Sequence, residues 1–185
     1  MNTLELLTTR RSNRKLGLPA PEDAHIEAML QAATQVPDHG QLTPWRFVVI
    51  TGQAAQTRLE QTLLQAAQTT GMGEEGETRA RQISHMAPLI VGVIAAPCLQ
   101  ANRPKPEWEQ HLSAGCAAYA IQLAAKAQGF DSIWITGPWV SSSPLRKAFG
   151  CAAGDKIIAL LAIGTAAQPQ SEPKNTDLSA FTQRW

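Results

Sequence analysis

The stretch WEQHLSAGCAAYAIQLAAKAQGFDSIWITG, residues 108–137, decides the fold. Its spacing predicts a helix over residues 107–128, which has eight Ala or Gly residues from position 114 onward. A helix that is apolar nearly all round lies in a core, and its small residues permit close approach of a neighbouring helix. Gly129 is well placed to end this helix, and the apolar run at residues 133–136 predicts a strand.

The flanking segments alternate between helix and strand patterns. Asn2 and Glu5 have the spacing of a capping box that opens a helix ending near Thr9. Further helices are predicted over residues 22–36, 53–70 and 143–150, and further strands over residues 45–50, 89–96 and 157–164. This order predicts an α/β or α+β fold, with a sheet flanked by helices.

Several segments carry more specific expectations. The apolar run at residues 45–50 predicts a strand buried on both faces, and residues 71–76 predict a flexible acidic link. A proline-containing loop is expected over residues 102–106, and the tail from residue 165 is expected to be irregular. The length of 185 residues suits a single domain spanning residues 1–185.

Composition excludes several classes of function. The charged fraction of 17% is below the roughly 25% of typical soluble domains, which predicts that a partner subunit covers part of the surface. A net charge of +1 gives no general attraction to nucleic acid or to an anionic membrane. The N-terminus lacks the pattern of a signal peptide, and Gln122 and Lys126 interrupt the longest apolar stretch, so no membrane span is expected.

The three cysteines, Cys98, Cys116 and Cys151, have no CxxC spacing, so neither a disulfide framework nor a zinc site is predicted. They predict reduced thiols in the cytoplasm. Cys116 lies among alanines in mid-helix and is expected to be a buried small hydrophobe rather than a nucleophile.

A cluster of cations forms the first candidate site. Arg10, Arg11, Ser12 and Arg14 place four phosphate-pairing side chains within five residues, just after a helix. A guanidinium pairs with phosphate through two bonds, and a serine hydroxyl adds a donor. A solvated basic turn beside the helix C-terminus explains the same residues, and spacing alone leaves both interpretations open.

Two further segments are weaker candidates. His39 and Gln41 lie in a turn-rich loop that leads into a predicted strand, where they could hydrogen-bond the edge of a heterocycle. Residues 136–138 end another predicted strand with Thr-Gly-Pro, beside Trp134 and Trp139, and leave the backbone free to approach a ligand. An ordinary connection and ordinary core aromatics explain these two segments equally well.

Common nucleotide and metal motifs are absent from the sequence. It contains no GxGxxG after a strand, no GxxxxGK[ST] and no GxSxG. The four histidines, His25, His39, His85 and His111, lack metal-ligand spacing, so no metal site is predicted.

Four segments together resemble the nitroreductase family, and most closely its small YdjA-like branch. They are LELLTTRRSNRK at residues 4–15, VPDHGQLTPWRFVVI at 36–50, the opening stretch at 108–137 and IIALLAIGT at 157–165. The likeness covers nearly the whole chain. It implies a mixed central sheet between helices and an intertwined homodimer, with two FMN sites lined by both subunits.

The resemblance also assigns residues. Arg10, Arg11 and Ser12 would hold the FMN phosphate and ribityl chain, while Gln35 and His39 would reach the flavin from the partner subunit. Trp134, Ile135 and Thr136 would run beside the isoalloxazine ring, and a backbone N–H near Thr136 or Gly137 would face flavin N5. The stretch assigned to NAD(P) contact comprises Ala124, Ala125, Lys126, Ala127, Gln128 and Gly129.

This sequence departs from the family pattern at two positions near the flavin. Gln41 stands where asparagine is common, and Thr43 stands in place of the glutamine before Pro-Trp. Lys174 is the counterpart considered for a basic residue in the tail of longer members.

The implied activity is an FMN-dependent NAD(P)H oxidoreductase that reduces nitroaromatics, quinones or similar small acceptors by ping-pong hydride transfer, with no catalytic side chain of its own. A flavin-binding sensor or storage protein without turnover, and an α/β domain without a cofactor, are the alternatives.

Overall fold

The structure is a computed structural model that describes residues 2–100, 105–170, 172 and 176–185. The helices are α1 (Thr3–Thr9), α2 (Asp23–Ala33), α3 (Gly52–Thr69), α4 (Gly73–Ser84), α5 (Glu107–Ala127), α6 (Pro138–Ser141) and α7 (Ser143–Ala148). The strands are β1 (Leu16–Gly17), β2 (Trp45–Thr51), β3 (Leu89–Ala95), β4 (Asp131–Ile135) and β5 (Lys156–Ala166), and a 3₁₀ turn spans Leu178–Phe181.

The strands form one sheet in the order β1-β5-β3-β2, and β4 pairs with β5. All pairs between these strands are antiparallel: Val91 of β3, for example, lies opposite Val49 of β2 and Leu161 of β5. Among the described residues, parallel pairing is limited to one bridge between Ser12 and Ser132. The α+β fold, with a central sheet flanked by helices, is confirmed.

Side chains from β3 and β5 fill the core on both faces of the sheet. Every residue of β3 is buried, and successive side chains point to opposite faces. On one face Ile90 and Leu160 pack with Leu63 of α3. On the other, Val91 and Leu161 pack with α2 and with the alanine-rich side of α5, which includes Ala117, Ala118 and Ile121. Each helix layer therefore covers one side of the same two strands.

The burial expected for β2 is wrong. Within β2 only Ile50 is buried, and Val49 is 42% exposed. The reason is topological, because β2 lies at the end of the strand order and pairs only with β3 among the described strands. An apolar run shows that a strand contacts the core but does not show its place in the sheet.

The flexible link expected over residues 71–76 is also wrong, because helix α4 begins at Gly73. Gly71 and Gly73 have positive φ angles and make the turn between α3 and α4. Glu74 and Glu75 lie in the first turn of α4, where negative charge is favourable. Ala80 and Ile83 then pack against the α3 layer and hold the helix in place.

Helix α5 buries one side only. Ala114, Ala117, Ala118, Ile121 and Ala125 are buried. The helix ends at Ala127, and Gly129, which follows its C-cap Gln128, has a left-handed backbone. The opposite side exposes apolar groups: Leu112 is 60% exposed, and Tyr119 and Cys116 are exposed as well. The prediction that Cys116 is buried is therefore wrong for the single chain. Within the described segments, no helix has the length and apolarity needed to cross a membrane.

Candidate functional site

The cationic segment, defined as Arg10, Arg11 and Ser12, directly follows α1. The capping box at the start of α1 is confirmed: Asn2 Oδ1 accepts from the Glu5 N–H at 2.8 Å, and the Asn2 N–H donates to Glu5 Oε2 at 3.2 Å. The helix ends at Thr9 and is capped by Arg10, whose backbone N–H donates to the Leu6 carbonyl. The chain then turns so that Ser12 forms its bridge to Ser132 of β4.

Two guanidinium nitrogens of this segment are buried without a partner. Within the described part of the chain, Arg10 Nη1 and Arg11 Nε have no hydrogen-bond acceptor. A buried N–H without an acceptor costs free energy, so native structures rarely contain one without a reason. His111 Nε2 is a third such atom, but it lies 3.5 Å from the Glu107 carboxylate. The two arginines have no comparable anion among the described ion pairs.

Tyr119 of α5 supports one of these arginines. The guanidinium carbon of Arg10 lies 5.8 Å from the centre of the Tyr119 ring, within the range of a cation–π contact. Ser12 is exposed, and both arginines are half-buried. The segment therefore presents two cations and a hydroxyl beside an aromatic ring, an arrangement suited to a phosphate group.

An apolar groove of about 420 Å³ lies along the outer side of α5 and reaches β4. Its lining includes Leu112, Cys116, Tyr119, Leu123 and Trp134. Because Tyr119 borders this groove and also contacts Arg10, the groove begins beside the cationic segment. Aromatic and aliphatic walls next to a cationic end suit a flat heterocycle that carries a phosphate.

Strand β4 reaches this groove at Trp134 and ends at Ile135. Trp134 and Ile135 are half-buried, while Thr136 and Gly137 are exposed. Gly137 has φ of 89° and is the N-cap of α6, so the backbone turns sharply where a close approach to a ligand was expected. Trp139 is 4% exposed and packs in the core, so it offers no free aromatic surface.

The loop with His39 and Gln41 packs on the N-terminal end of α5. His39 Nδ1 lies 2.6 Å from Glu109 Oε2, and the Thr43 N–H donates to Asp38 Oδ2 at 2.7 Å. Gln41 and Thr43 have positive φ angles of 53° and 47°, which residues other than glycine rarely adopt. Strained backbone of this kind is held by its surroundings and is common near ligand sites.

The structure does not bring this loop to the cationic segment of the same chain. His39 contacts position 109 of α5 and Arg10 contacts position 119, which are roughly 15 Å apart at about 1.5 Å per residue. Gln35 is exposed and donates only to the adjacent Thr34 hydroxyl among its described contacts.

The stretch at residues 124–129 forms the end of α5 and its cap. Ala125 is fully buried and has no surface for a ligand, and Ala124 packs against the core. Lys126 Nζ lies 2.7 Å from Asp131 Oδ1, and Gln128 Nε2 donates to the carbonyls of His25 and Ala124. Ala127 and Gly129 are exposed.

A second groove, of about 480 Å³, lies between β2 and α3. Arg58 is the only charged side chain among its described lining residues. In the described residues no group of three or more His, Cys, Asp or Glu side chains could hold a metal ion. Lys174 lies outside the described residues.

The family model described as "Nitroreductase family" matches residues 7–165. The chain belongs to the nitroreductase family. It is therefore an oxidoreductase of that family, and the resemblance seen in its sequence is confirmed.

Relatives and solved structures agree with this membership. The chain is 47% identical over 166 residues to the "Putative NAD(P)H nitroreductase" of Haemophilus influenzae, covering 89% of each chain. It is 42% identical over 165 residues to the "Putative NAD(P)H nitroreductase YdjA" of Escherichia coli K12, covering 89% of this chain and 88% of that one. The nitroreductase-like protein of Bacillus cereus has the same fold, with a TM-score of 0.86 at 18% identity over 100% of this chain and 96% of that chain.

A variant of the FMN and NADPH-dependent nitroreductase NfnB from Sphigopyxis sp. strain HMH also shares the fold, with a TM-score of 0.75 at 17% identity, covering 100% of this chain and 99% of that chain.

Several residues of the site were missed by sequence reasoning. The sequence predicts Tyr119 only as part of an alanine-rich core helix. It does not indicate the contact between two buried residues in which the Asn13 amide donates to Asp131 Oδ2 at 2.8 Å. Asp131 carried a usable signal, since a carboxylate at the start of an apolar strand requires a partner when it is buried. Its partner Asn13 lies far away in sequence and could not be identified from spacing.

Proposed function

We propose that this nitroreductase family member binds FMN and transfers electrons from NAD(P)H to a small oxidised acceptor. The observation that carries the proposal is the pair of buried guanidinium nitrogens, Arg10 Nη1 and Arg11 Nε, which lack acceptors among the described residues. A phosphate has the charge and the oxygens to satisfy both. The residues present therefore fit the phosphate of FMN.

Each part of the site has a defined task in this proposal. Arg10, Arg11 and Ser12 bind the phosphate and the adjoining ribityl chain, and Tyr119 holds the Arg10 guanidinium. Trp134, Ile135 and Thr136 flank the ring, and the backbone N–H groups near Thr136 and Gly137 are assigned to flavin N5. FMN, when bound, would supply the redox chemistry, so no side-chain acid or base is assigned.

The partner subunit completes the site in this proposal. The exposed apolar side of α5 is a surface that a second copy would cover at Leu112 and Cys116, while its end near Tyr119 borders the flavin. His39 lies at the far end of α5 from the cationic segment of its own chain, with Gln41 in the same loop and Gln35 shortly before it. A homodimer in which two α5 helices pack together would bring this loop to the other subunit's site.

The co-substrate and the acceptor are the finer parts of the proposal. NAD(P)H is supported by the names of the relatives, and the exposed Ala127 and Gly129 are the positions of the stretch at residues 124–129 that can contact it. Nitroaromatics and quinones are the proposed acceptors, since the groove is apolar and aromatic. The expected cytoplasmic location also belongs to this proposal.

The decisive experiment is the absorption spectrum of the purified protein after incubation with FMN and removal of the excess. We expect an absorption band of bound flavin at about 450 nm and release of FMN, identified by its mass, when the protein is denatured. We also expect oxidation of NADPH when a quinone is added. A folded protein that remains colourless would contradict the proposal, whereas bound FMN without NADPH oxidation would leave only a flavin-binding protein.

Light scattering tests the shared site separately. We expect the mass of a dimer, and Leu112→Asp should shift the population toward a single chain because it places a carboxylate on the apolar side of α5. A wild-type protein that runs as a monomer while retaining FMN would contradict the shared site but not the phosphate site.

A further inference from the structure

Helix α1 precedes the cationic segment. It has no buried residue among those described and packs only lightly on α5. The contact of Arg10 with Tyr119 and a long bond of 3.5 Å from Arg11 Nη1 to the Arg10 carbonyl are weak restraints. Stronger contacts are made by the residues that follow the segment.

Asn13 follows the cationic segment directly and is 7% exposed. Its side-chain amide donates to Asp131 Oδ2 at 2.8 Å and to the Gln168 carbonyl at 3.1 Å, and its Oδ1 accepts from the Lys15 N–H at 2.9 Å. Its backbone N–H donates to the Ser132 carbonyl at 3.1 Å. All these contacts lock the residue next to Ser12 onto β4 and onto the chain that follows β5.

Asp131 is 3% exposed and anchors this arrangement from the other side. Its second oxygen lies 2.7 Å from Lys126 Nζ, so the carboxylate is paired on both oxygens. A charge-assisted bond inside the protein is roughly twice as strong as a neutral one and has a narrower geometry. Asp131 therefore gives the segment a fixed point on the rigid sheet.

The chain after β5 adds a third restraint. Gln170 Nε2 donates to the Arg11 carbonyl at 3.0 Å, and the Ala167 N–H donates to the Lys15 carbonyl at 2.8 Å. Residues 10–15 are thus held between β4 and residues 167–170. This arrangement keeps Arg10 and Arg11 side by side despite the repulsion between their charges.

We propose that Asn13 and Asp131 form a buried clamp that positions the cationic segment to bind the phosphate of FMN, although neither side chain touches it. Both are positioning residues, and this inference rests on the proposed function. The clamp fixes how strongly the protein prefers FMN over riboflavin, because the two ligands differ only in the phosphate.

The test measures the dissociation constants of FMN and riboflavin and takes their ratio as the strength of the phosphate contact. We expect Asn13→Ala to lower this preference about tenfold, in line with the loss of one charge-assisted bond. A general loss of protein stability weakens the binding of FMN and of riboflavin equally, so it leaves the ratio of their dissociation constants unchanged. An unchanged ratio in a folded Asn13→Ala protein would overturn the clamp.

Gln110→Ala is the matched control. Gln110 is 2% exposed, and like Asn13 it accepts one backbone N–H, from Cys98, and donates twice, to the carbonyls of Cys98 and Lys105. It holds a loop rather than the cationic segment. We expect the Gln110→Ala protein to lose about as much thermal stability as Asn13→Ala while keeping its preference for FMN over riboflavin. If this preference fell as much as in Asn13→Ala, the clamp would be overturned.

An exchange of side chains tests the pairing itself and covers the case in which Asn13→Ala does not fold. Asn13→Asp has the same shape but faces Asp131 with a second carboxylate, so the preference should fall. Adding Asp131→Asn restores a carboxylate–amide bond and should recover part of the preference. Absence of any recovery would overturn the clamp. A wild-type protein that does not prefer FMN would instead overturn the phosphate site of the proposed function.

Discussion

Two pairs of arginines in this molecule differ in how the fold uses their guanidinium groups. Arg46 and Arg146 both bind around Asp155: Arg46 Nη2 lies 2.9 Å from Asp155 Oδ2, and Arg146 donates to the carbonyls of Asp155 and, at 2.8 Å, Ala152. Arg10 and Arg11 each keep a buried nitrogen without an acceptor among the described residues. Partners, rather than residue type, separate a stabilising arginine from one that is available to a ligand.

The consequence is a difference in what each pair contributes. Removal of a guanidinium that has acceptors leaves those acceptors without a donor and lowers the stability of the fold. Removal of a guanidinium without acceptors takes away buried donors that had no partner, so it should weaken ligand binding rather than the fold. Mutations in the two pairs should therefore move different measurements.

The largest effect is expected for the double variant Arg10→Ala, Arg11→Ala. Two charge-assisted bonds are lost, about 3–6 kcal/mol together, so the dissociation constant of FMN should rise by about 100-fold or more. The stability of the protein without FMN should be unchanged or slightly higher. Titration of FMN by fluorescence and thermal unfolding of the apoprotein measure the two quantities.

A matched double variant controls for the loss of two positive charges. Arg58→Ala, Arg79→Ala removes exposed arginines from α3 and α4. It should leave the FMN affinity nearly unchanged, because exposed charges are screened by salt. Equal FMN binding by the Arg10, Arg11 variant and the wild type would show that the two pairs do not differ.

A smaller effect, on stability alone, is expected for Arg146→Ala. The carbonyls of Ala152 and Asp155 lose their donor, so the free energy of unfolding should fall by about 2–4 kcal/mol. The preference for FMN over riboflavin should persist. Urea unfolding of the apoprotein measures the change, and Lys147→Ala on the exposed side of α7 should stay within about 0.5 kcal/mol. A weakened preference for FMN would place Arg146 in the site and contradict the comparison.

The same contrast explains how far the sequence could be interpreted. The sequence indicates Arg10, Arg11 and Ser12 as a candidate site because these residues are neighbours in the chain, and such clustering is visible without a structure. Helices α1, α3 and α5 and strands β3 and β5 were likewise predicted, since their periodicity is local and strong. The lack of partners on Arg10 and Arg11 required coordinates.

The remaining features depend on contacts between distant residues. Asn13 and Asp131 are 118 positions apart, and neither shows its partner in the sequence. The exposure of β2 depends on its place at the edge of the sheet, and the exposed side of α5 depends on which helix face meets the strands. For α4, two glycines and several charges obscured a helix that its packing against α3 stabilises.

The smallest expected effect concerns Cys151, which lies beside the satisfied pair. Burial raises the pKa of its thiol above the ordinary 9.0 and Asp155 raises it further, and together they outweigh Arg146 and Arg46, which lower it. The two arginines, whose guanidiniums already bond to Asp155 and its neighbours, favour the thiolate too weakly to outweigh burial and Asp155. Because the folded pKa is raised, the stabilisation that this thiol contributes is complete below pH 9 and is lost as pH rises through the folded value.

Alkylation tests this balance, since the thiolate is the reactive form. In the folded protein, Cys151 should react with iodoacetamide more slowly at pH 8 than the same residue in urea, and its rate should keep rising beyond pH 9. Mass spectrometry of the labelled peptide gives both rates. Faster alkylation in the folded state would mean that Arg46 and Arg146 act on the thiol as free cations, and the distinction between satisfied and unsatisfied guanidiniums would then fail where it is most directly observable.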